Sequence, residues 1–305
     1  MTSRTVIGCA SLLLHAGAAT AQVLEKEAAF LLIPSGARTV GLGRAVVSIA
    51  DAQAAFYNPA ATAWSPLALS VSRYDGPLDF VAWRLAGHLR AGNHVISIGA
   101  QVQSFGEFQL ADEFAVIGTY EPQNLIVELG LSRHVSAGMV AGMRAKLVDS
   151  RVAPGVSATG FAADMGFVWR VPHAPVQLGA SLLDLGTALR YGTGEANRAR
   201  LPTRLRAGAS METPLAGRAR LLLTADANVA PHDTRAFSQF LGGAITWDGL
   251  VTARAGFIRE TLLEPSTGWS FGLGFNLGIV SFDLGREIGV NNLGSETHIS
   301  LGYRS

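Results

Sequence analysis

From Leu67 to Arg304 the chain is a succession of runs in which apolar residues alternate with small or polar ones. Period two marks a β-strand with unlike faces, because successive side chains point to opposite sides of a sheet. The runs predict strands over Leu67–Tyr74, Leu78–Leu89, His94–Phe105, Asn124–His134, Met139–Asp149, Gly160–Val171 and Val176–Leu185. They continue over Pro202–Glu212, Arg218–Asn228, Phe237–Trp247, Leu250–Arg259, Gly268–Asn276, Ile279–Glu287 and Thr297–Arg304, fourteen in all. Each is near the roughly 9–11 residues that a tilted strand needs to cross a bilayer. The alternation is clearest toward the carboxyl end. There Phe271, Leu273, Phe275 and Leu277 oppose Ser270, Gly272, Gly274 and Asn276, and Val280, Phe282 and Leu284 oppose Ser281, Asp283 and Gly285.

A soluble sandwich has the same period, so the links between strands decide. Short links centre on Ala91-Gly92, Ala137-Gly138, Pro172–Pro175, Pro214–Gly217, Asp248-Gly249 and Leu277-Gly278. Long ones run over Gly106–Gln123, Ser150–Thr159, Gly186–Leu201, Val229–Ala236, Glu260–Thr267 and Ile288–Glu296, and the first link, Asp75–Pro77, is the exception. Short turns on one rim and long loops on the other are how a transmembrane barrel sorts its periplasmic and extracellular connections. The expected fold is therefore all-β, a transmembrane antiparallel outer-membrane β-barrel of about fourteen strands with both termini periplasmic. Closure follows because edge N–H and C=O groups cannot stay unpaired in lipid.

In such a barrel the polar face lines the lumen. The charges at mid-strand on that face are Glu128, Arg144, Lys146, Asp164, Arg204, Arg206, Asp226, Arg254 and Asp283. On the opposite face Trp169, Trp247 and Tyr303 fall at predicted periplasmic ends and Trp269 at an external end, as aromatic girdles do.

The stretch Ala28–Trp64 does not alternate and calls for another explanation. It holds Pro34, three close glycines (Gly36, Gly41, Gly43), a mildly amphipathic middle from Arg38 to Ala55 that includes Asp51, and an Asn58-Pro59 turn. Such a segment, ahead of a barrel, is a candidate plug. Asn58-Pro59 reads as a fixed turn, with Pro setting φ and Asn offering a side-chain bond to nearby backbone.

Composition agrees with lipid exposure: the 305 residues are 49% hydrophobic and 15% charged, with 35 glycines and a mean hydropathy of +0.28. Met1–Ala21 reads as a secretory signal, with Arg4, an apolar run from Val6 to Leu14 and a small-residue cleavage site at Ala19-Thr20-Ala21. This divides the chain into a signal peptide (1–21), a hatch (22–65) and a barrel (66–305). Removing the signal removes the single cysteine, and taking Arg4 from 24 Lys and Arg leaves 23, equal to the 23 Asp and Glu. A neutral chain gives nucleic-acid binding no electrostatic support.

The order FLLIPSGARTVGLG, then Ala50-Asp51, then Tyr57-Asn58-Pro59-Ala60 resembles the PorV/PorQ family of outer-membrane proteins, which is similar to the FadL transporters of long-chain fatty acids. The resemblance continues through Arg254–Phe257, Phe271–Gly274, Phe282-Asp283 and Thr297–Tyr303, and spans nearly the whole mature chain. It implies a fourteen-stranded barrel whose periplasmic mouth holds a hatch that includes Gly36, Arg38, Gly41, Gly43, Asp51, Asn58 and Pro59. It also implies partners: outer-membrane lipid together with either a hydrophobic small molecule or the proteins of a type IX secretion system. On the FadL side the function implied is passage of apolar molecules, released past the hatch or sideways into the bilayer; on the PorV/PorQ side it is binding or handing on of secreted proteins. At Gly41-Leu42-Gly43-Arg44 the chain departs from the family's glycine run, putting a large cation where close packing favours no side chain.

Catalysis has little support, since His88, His94, His134, His173, His232 and His298 mostly fall at turns or rims without a nucleophile motif. Pro231-His232-Asp233 offers one imidazole and one carboxylate, too few for a tetrahedral metal site. Gly272-x-Gly274-x-x-x-Gly278 precedes no helix and is no nucleotide loop, so no cofactor is expected. The lumen cations Arg144, Lys146, Arg204, Arg206 and Arg254 have two readings. They either meet a carboxylate-bearing ligand, whose geometry a guanidinium fork matches, or pair with acids such as Asp164, Asp226 and Asp51.

Overall fold

The computed structural model describes residues 28–65, 67–111, 116–192, 197–231, 233–261, 265–290 and 295–304. The expected signal Met1–Ala21, Asp112, Glu113 and Phe114 of the expected long link Gly106–Gln123, and His232 lie outside them. The strands are β1 (Leu67–Asp75), β2 (Val81–Ala91), β3 (His94–Ser104), β4 (Phe108–Ala111), β5 (Val116–Tyr120), β6 (Gln123–Ser136), β7 (Met139–Ala153), β8 (Val156–Arg170) and β9 (Val176–Gly186). Then come β10 (Leu189–Arg190), β11 (Arg198–Ala199), β12 (Arg204–Pro214), β13 (Ala219–Ala230), β14 (Asp233–Trp247), β15 (Val251–Glu260), β16 (Ser266–Leu277), β17 (Val280–Ile288) and β18 (Ser295–Arg304). Fourteen of them close into one antiparallel barrel, in which β1 meets β18 from Leu67↔Arg304 to Asp75↔Thr297. The pairs β4–β5 and β10–β11 form two small hairpins on the long-loop rim.

The two faces of the wall are chemically opposite. Phe271, Leu273 and Phe275 point outward and are 51%, 46% and 38% exposed, while Ser270, Gly272 and Gly274 beside them are buried. Burying one large apolar side chain is favourable by about 1.5–3 kcal/mol, so a belt of this kind is stable only against hydrocarbon. Trp247 and Tyr303 stand outward near one rim and Trp269 near the other. No helix among the described residues is long and apolar enough to cross a membrane; the strands do so.

The strands follow the predicted spans to within four residues, and the differences have local causes. The expected loops Ser150–Thr159 and Val229–Ala236 are mostly strand, since β7 and β8 pair up to Ala153↔Val156 and β13 and β14 up to Ala230↔Asp233. Beyond the bilayer both faces of a hairpin meet water, so backbone pairing continues where apolar alternation stops. Conversely, β2 starts at Val81 rather than Leu78, because Leu78 and Asp79 both adopt left-handed backbone (φ 56° and 58°) and turn the chain back. On β9, Leu183 and Asp184 together oppose Asp164 of β8, a bulge that turns both side chains inward.

Candidate functional site

Before the first strand the chain forms short turns of 3-10 helix, η1 (Ala29–Leu32), η2 (Ala54–Phe56) and η3 (Pro59–Trp64), and one short helix, α1 (Ala37–Gly41). These lie inside the barrel and run its whole height. Near the long-loop rim the Ala28 N–H donates to the Arg200 carbonyl (2.7 Å), and Gln103 Nε2 donates to the Phe30 carbonyl (3.0 Å). At mid-height the Ala37 N–H donates to Ser300 Oγ (2.8 Å) and the Gly43 N–H to Ser270 Oγ (2.9 Å). At the short-turn rim the Trp64 indole lies under the Arg170 guanidinium at 4.0 Å, and the Ser65 carbonyl accepts from Arg90 (3.4 Å). The segment is thus not confined to one mouth.

Inward glycines let its backbone lie directly on the wall. A Cβ at Gly142 would stand 2.7 Å from the Ala60 nitrogen, one at Gly166 2.8 Å from Pro59 Cδ, and one at Gly179 2.6 Å from the Ser48 Cα. Gly242 and Gly256 seat Leu42 and Gly43 in the same way, and Gly285 seats Ala37. Asn58 fastens the turn above η3: its Oδ1 accepts from the Ala60 N–H (3.0 Å), and its Nδ2 donates to the carbonyls of Val47 (2.7 Å) and Phe167 (3.0 Å). Within the segment Arg38 meets Asp51 (2.5 Å), whose carboxylate raises the guanidinium above its ordinary value, and Gln53 bonds to both ends of that bridge.

All nine charges expected in the lumen are inward, none more than 6% exposed. The structure also brings them into pairs. Glu128 meets Arg84 (2.5 Å) and Arg144 (3.5 Å), Arg144 meets Asp164, and Lys146 bridges Asp164 (2.9 Å) and Asp184 (2.6 Å). Arg204 pairs with Asp184 (3.2 Å), Arg206 with Asp226 (3.0 Å) and Arg254 with Asp283 (2.8 Å). Several of these groups also hold the segment. Arg144 donates to the Ala55 (2.7 Å) and Phe56 (3.0 Å) carbonyls, Arg206 donates to the Arg44 carbonyl, and Asp226 Oδ2 accepts from the Val46 (2.7 Å) and Val47 (2.9 Å) N–H groups. Every cation expected in the lumen therefore has a carboxylate beside it.

Sequence reasoning missed Arg84, Asp184 and the pair Arg44–Glu287. Alternation puts Arg84 and Glu287 on the inward face and would have found them; Asp184 reaches it only through the bulge, which period two hides.

Above the charges, toward the long loops, the lumen becomes apolar. Phe30 and Leu31 are buried there with Ile126, Val148, Ala158, Leu189 and Leu201, and Ile33 packs between this group and Tyr74, Phe80 and Phe105. The occupant of this chamber is the chain's own η1 turn.

No protein-family model and no curated protein sequence matches the chain. Its fold does match solved barrels: the CymD monoaromatic hydrocarbon channel (13% identity over 90% of this chain and 98% of that one, TM-score 0.63), the toluene transporter TbuX of Ralstonia pickettii (12%, 88% and 98%, 0.62) and a FadL homologue of Pseudomonas aeruginosa (13%, 89% and 99%, 0.53). The chain thus has a FadL-like outer-membrane barrel fold. At these identities the likeness is one of fold, and the narrower PorV/PorQ resemblance finds no counterpart among these structures.

Proposed function

We propose that this barrel passes neutral hydrophobic small molecules across the outer membrane, without catalysis, and that residues 28–65 are the hatch that must shift to let them through. The carrying observation is the apolar chamber filled by Phe30, Leu31 and Ile33. A pocket that stabilises the chain's own phenylalanine and leucine in this way offers the same burial to an apolar visitor of similar size. The ion pairs beneath it narrow the cargo. With Arg204, Arg206 and Arg254 already matched to Asp184, Asp226 and Asp283, an entering carboxylate would have to displace a wall acid, and a neutral molecule would not. The solved barrels of similar fold that carry toluene or monoaromatic hydrocarbons support the same choice. In this reading the signal is cleaved, the short-turn rim is periplasmic and the long loops face outside. Neither the geometry nor the fold neighbours favour the secretion-accessory alternative.

The test is uptake of labelled toluene and labelled dodecanoate by cells that lack other hydrophobic-compound channels, with and without this protein. Faster toluene entry supports the reading. Equal entry of both compounds with and without the protein sinks it.

A further inference from the structure

The outward face of the barrel is not apolar throughout. Near the long-loop end, β1, β15 and β17 carry Arg73, Arg259 and Arg286 on that face. Arg259 and Arg286 are each followed by a glutamate, Glu260 or Glu287, which alternation turns into the lumen, where both are buried. These two acids go inward and the arginines outward, so Glu260 and Glu287 do not neutralise Arg259 and Arg286 on this surface. Among the described residues Arg259 and Arg286 have no ion-pair partner; Arg286 donates to Ser295 Oγ (2.7 Å). Arg73 keeps Asp75 (2.6 Å) and lies 5.3 Å from the centre of the Trp83 ring.

The register brings Arg286 and Arg73 close and sets Arg259 further toward the rim, since Arg259 is opposite Thr267 and Arg286 is opposite Phe271, four residues along the same strand. Arg286 is opposite Thr297, Thr297 is opposite Asp75, and Arg73 is opposite both Ile299 and Trp83. Two strand spacings, about 10 Å, therefore separate the strands of Arg286 and Arg73, within reach of two long side chains that converge. On the strand between β15 and β17, Trp269 packs edge-on against Phe257. Phe271 lies beside Arg286 and Ile299 beside Arg73, and one step toward the membrane centre come Leu284 and Leu301, all four exposed. An arginine facing lipid costs about 2–4 kcal/mol at the midplane and about 0–1 near the interface, so these three belong at headgroup level.

We propose that this face is a binding site for a lipid with a phosphorylated headgroup, its acyl chains on the Phe271–Leu284–Ile299–Leu301 floor and its phosphates held by Arg259, Arg286 and Arg73. Guanidinium groups bind phosphate through paired, charge-assisted hydrogen bonds, and indoles favour the same depth. The floor beneath the cations selects a lipid over a free phosphate ion.

The experiment is native mass spectrometry of the protein taken from phosphatidylcholine vesicles with lipid A in both leaflets, so that the direction of insertion does not matter. The parent should retain lipid A, and Arg259→Gln/Arg286→Gln should retain about tenfold less, the loss of one or two charge-assisted contacts. Arg133→Gln, on the outward face near the opposite rim, should behave as the parent. The two single variants stand in if the double variant does not fold, as judged by its heat-modifiable mobility. Equal retention by parent and Arg259/Arg286 variants overturns the proposal, as does an equal loss in Arg133→Gln, which marks diffuse charge attraction. Displacement of lipid A by inorganic phosphate at matched phosphorus would also overturn it.

Discussion

Arg44, at a left-handed φ of 63°, drives its guanidinium onto Glu287 in a two-pronged buried pair, with Nε donating to Oε1 at 2.8 Å and Nη2 to Oε2. A position whose backbone favours glycine thus holds a large cation, and its strain is offset by a carboxylate on the wall. Burial alone disfavours the guanidinium's charge, and the buried Glu287 carboxylate opposes this. Glu287→Gln should therefore cost about 3–5 kcal/mol, the usual penalty for leaving a buried charge unpaired. Arg44→Gly/Glu287→Gln should recover most of that loss. Urea unfolding of the reconstituted barrel, followed by tryptophan fluorescence, measures both. A double variant no more stable than Glu287→Gln would show that the pair is not what offsets the strained backbone.

Arg206 and Asp226 define a second test. The guanidinium lies 4.8 Å from the Tyr57 ring centre and 4.4 Å from that of Phe240, and Asp226 holds the Val46 and Val47 N–H groups. Changing Arg204 and Arg206 to Gln should lower stability by about 3 kcal/mol or more and leave the ratio of dodecanoate to toluene uptake unchanged. A selective loss of dodecanoate uptake in a folded variant would make these arginines carboxylate contacts after all.

The wall was legible in the sequence because hydrocarbon enforces strict alternation over Leu67–Arg304, and the mid-strand charges declared their face by the same rule. Their pairing was not legible. Lys146 and Asp184 are 38 residues apart and meet through register and a bulge, neither of which leaves a mark in composition. The segment from Ala28 was recognisable only as an exception. Its conformation is set by wall groups such as Ser270, Ser300 and Asp226, so no period of its own survives. The glycines of the lumen face were also ambiguous, since an open pore and a seat for packed backbone both call for small residues.

Gly142 distinguishes those two roles. It lies against Pro59 and Ala60, and a side chain there would overlap their backbone atoms, which would have to shift. Gly142→Val should leave the strand pairing intact and lift η3 off the wall. Proteoliposomes of this variant should become permeable to a small polar dye that the parent excludes. If the variant stays as tight as the parent, the segment is not what closes the lumen.

The last prediction concerns whether the segment must move at all. Thr62 Oγ1 on η3 and Ser132 Oγ on β6 touch at 3.1 Å, both side chains being buried. Side chains this close make the pair a site for a disulfide, which holds its Cβ atoms about 3.5–4.5 Å apart. If Cys9, the single cysteine of the sequence, leaves with the proposed signal, Thr62→Cys/Ser132→Cys can form only one intramolecular bridge. If cargo passes by displacement of the hatch, the oxidised variant should take up toluene no faster than cells without the protein, and a reductant should restore the rate. The single variants control for the loss of each hydroxyl. Full transport in the oxidised, bridged protein would mean that the short-turn end of the segment stays fixed. Cargo would then leave the apolar chamber without passing η3, and the part that moves would be the η1 turn carrying Phe30 and Leu31.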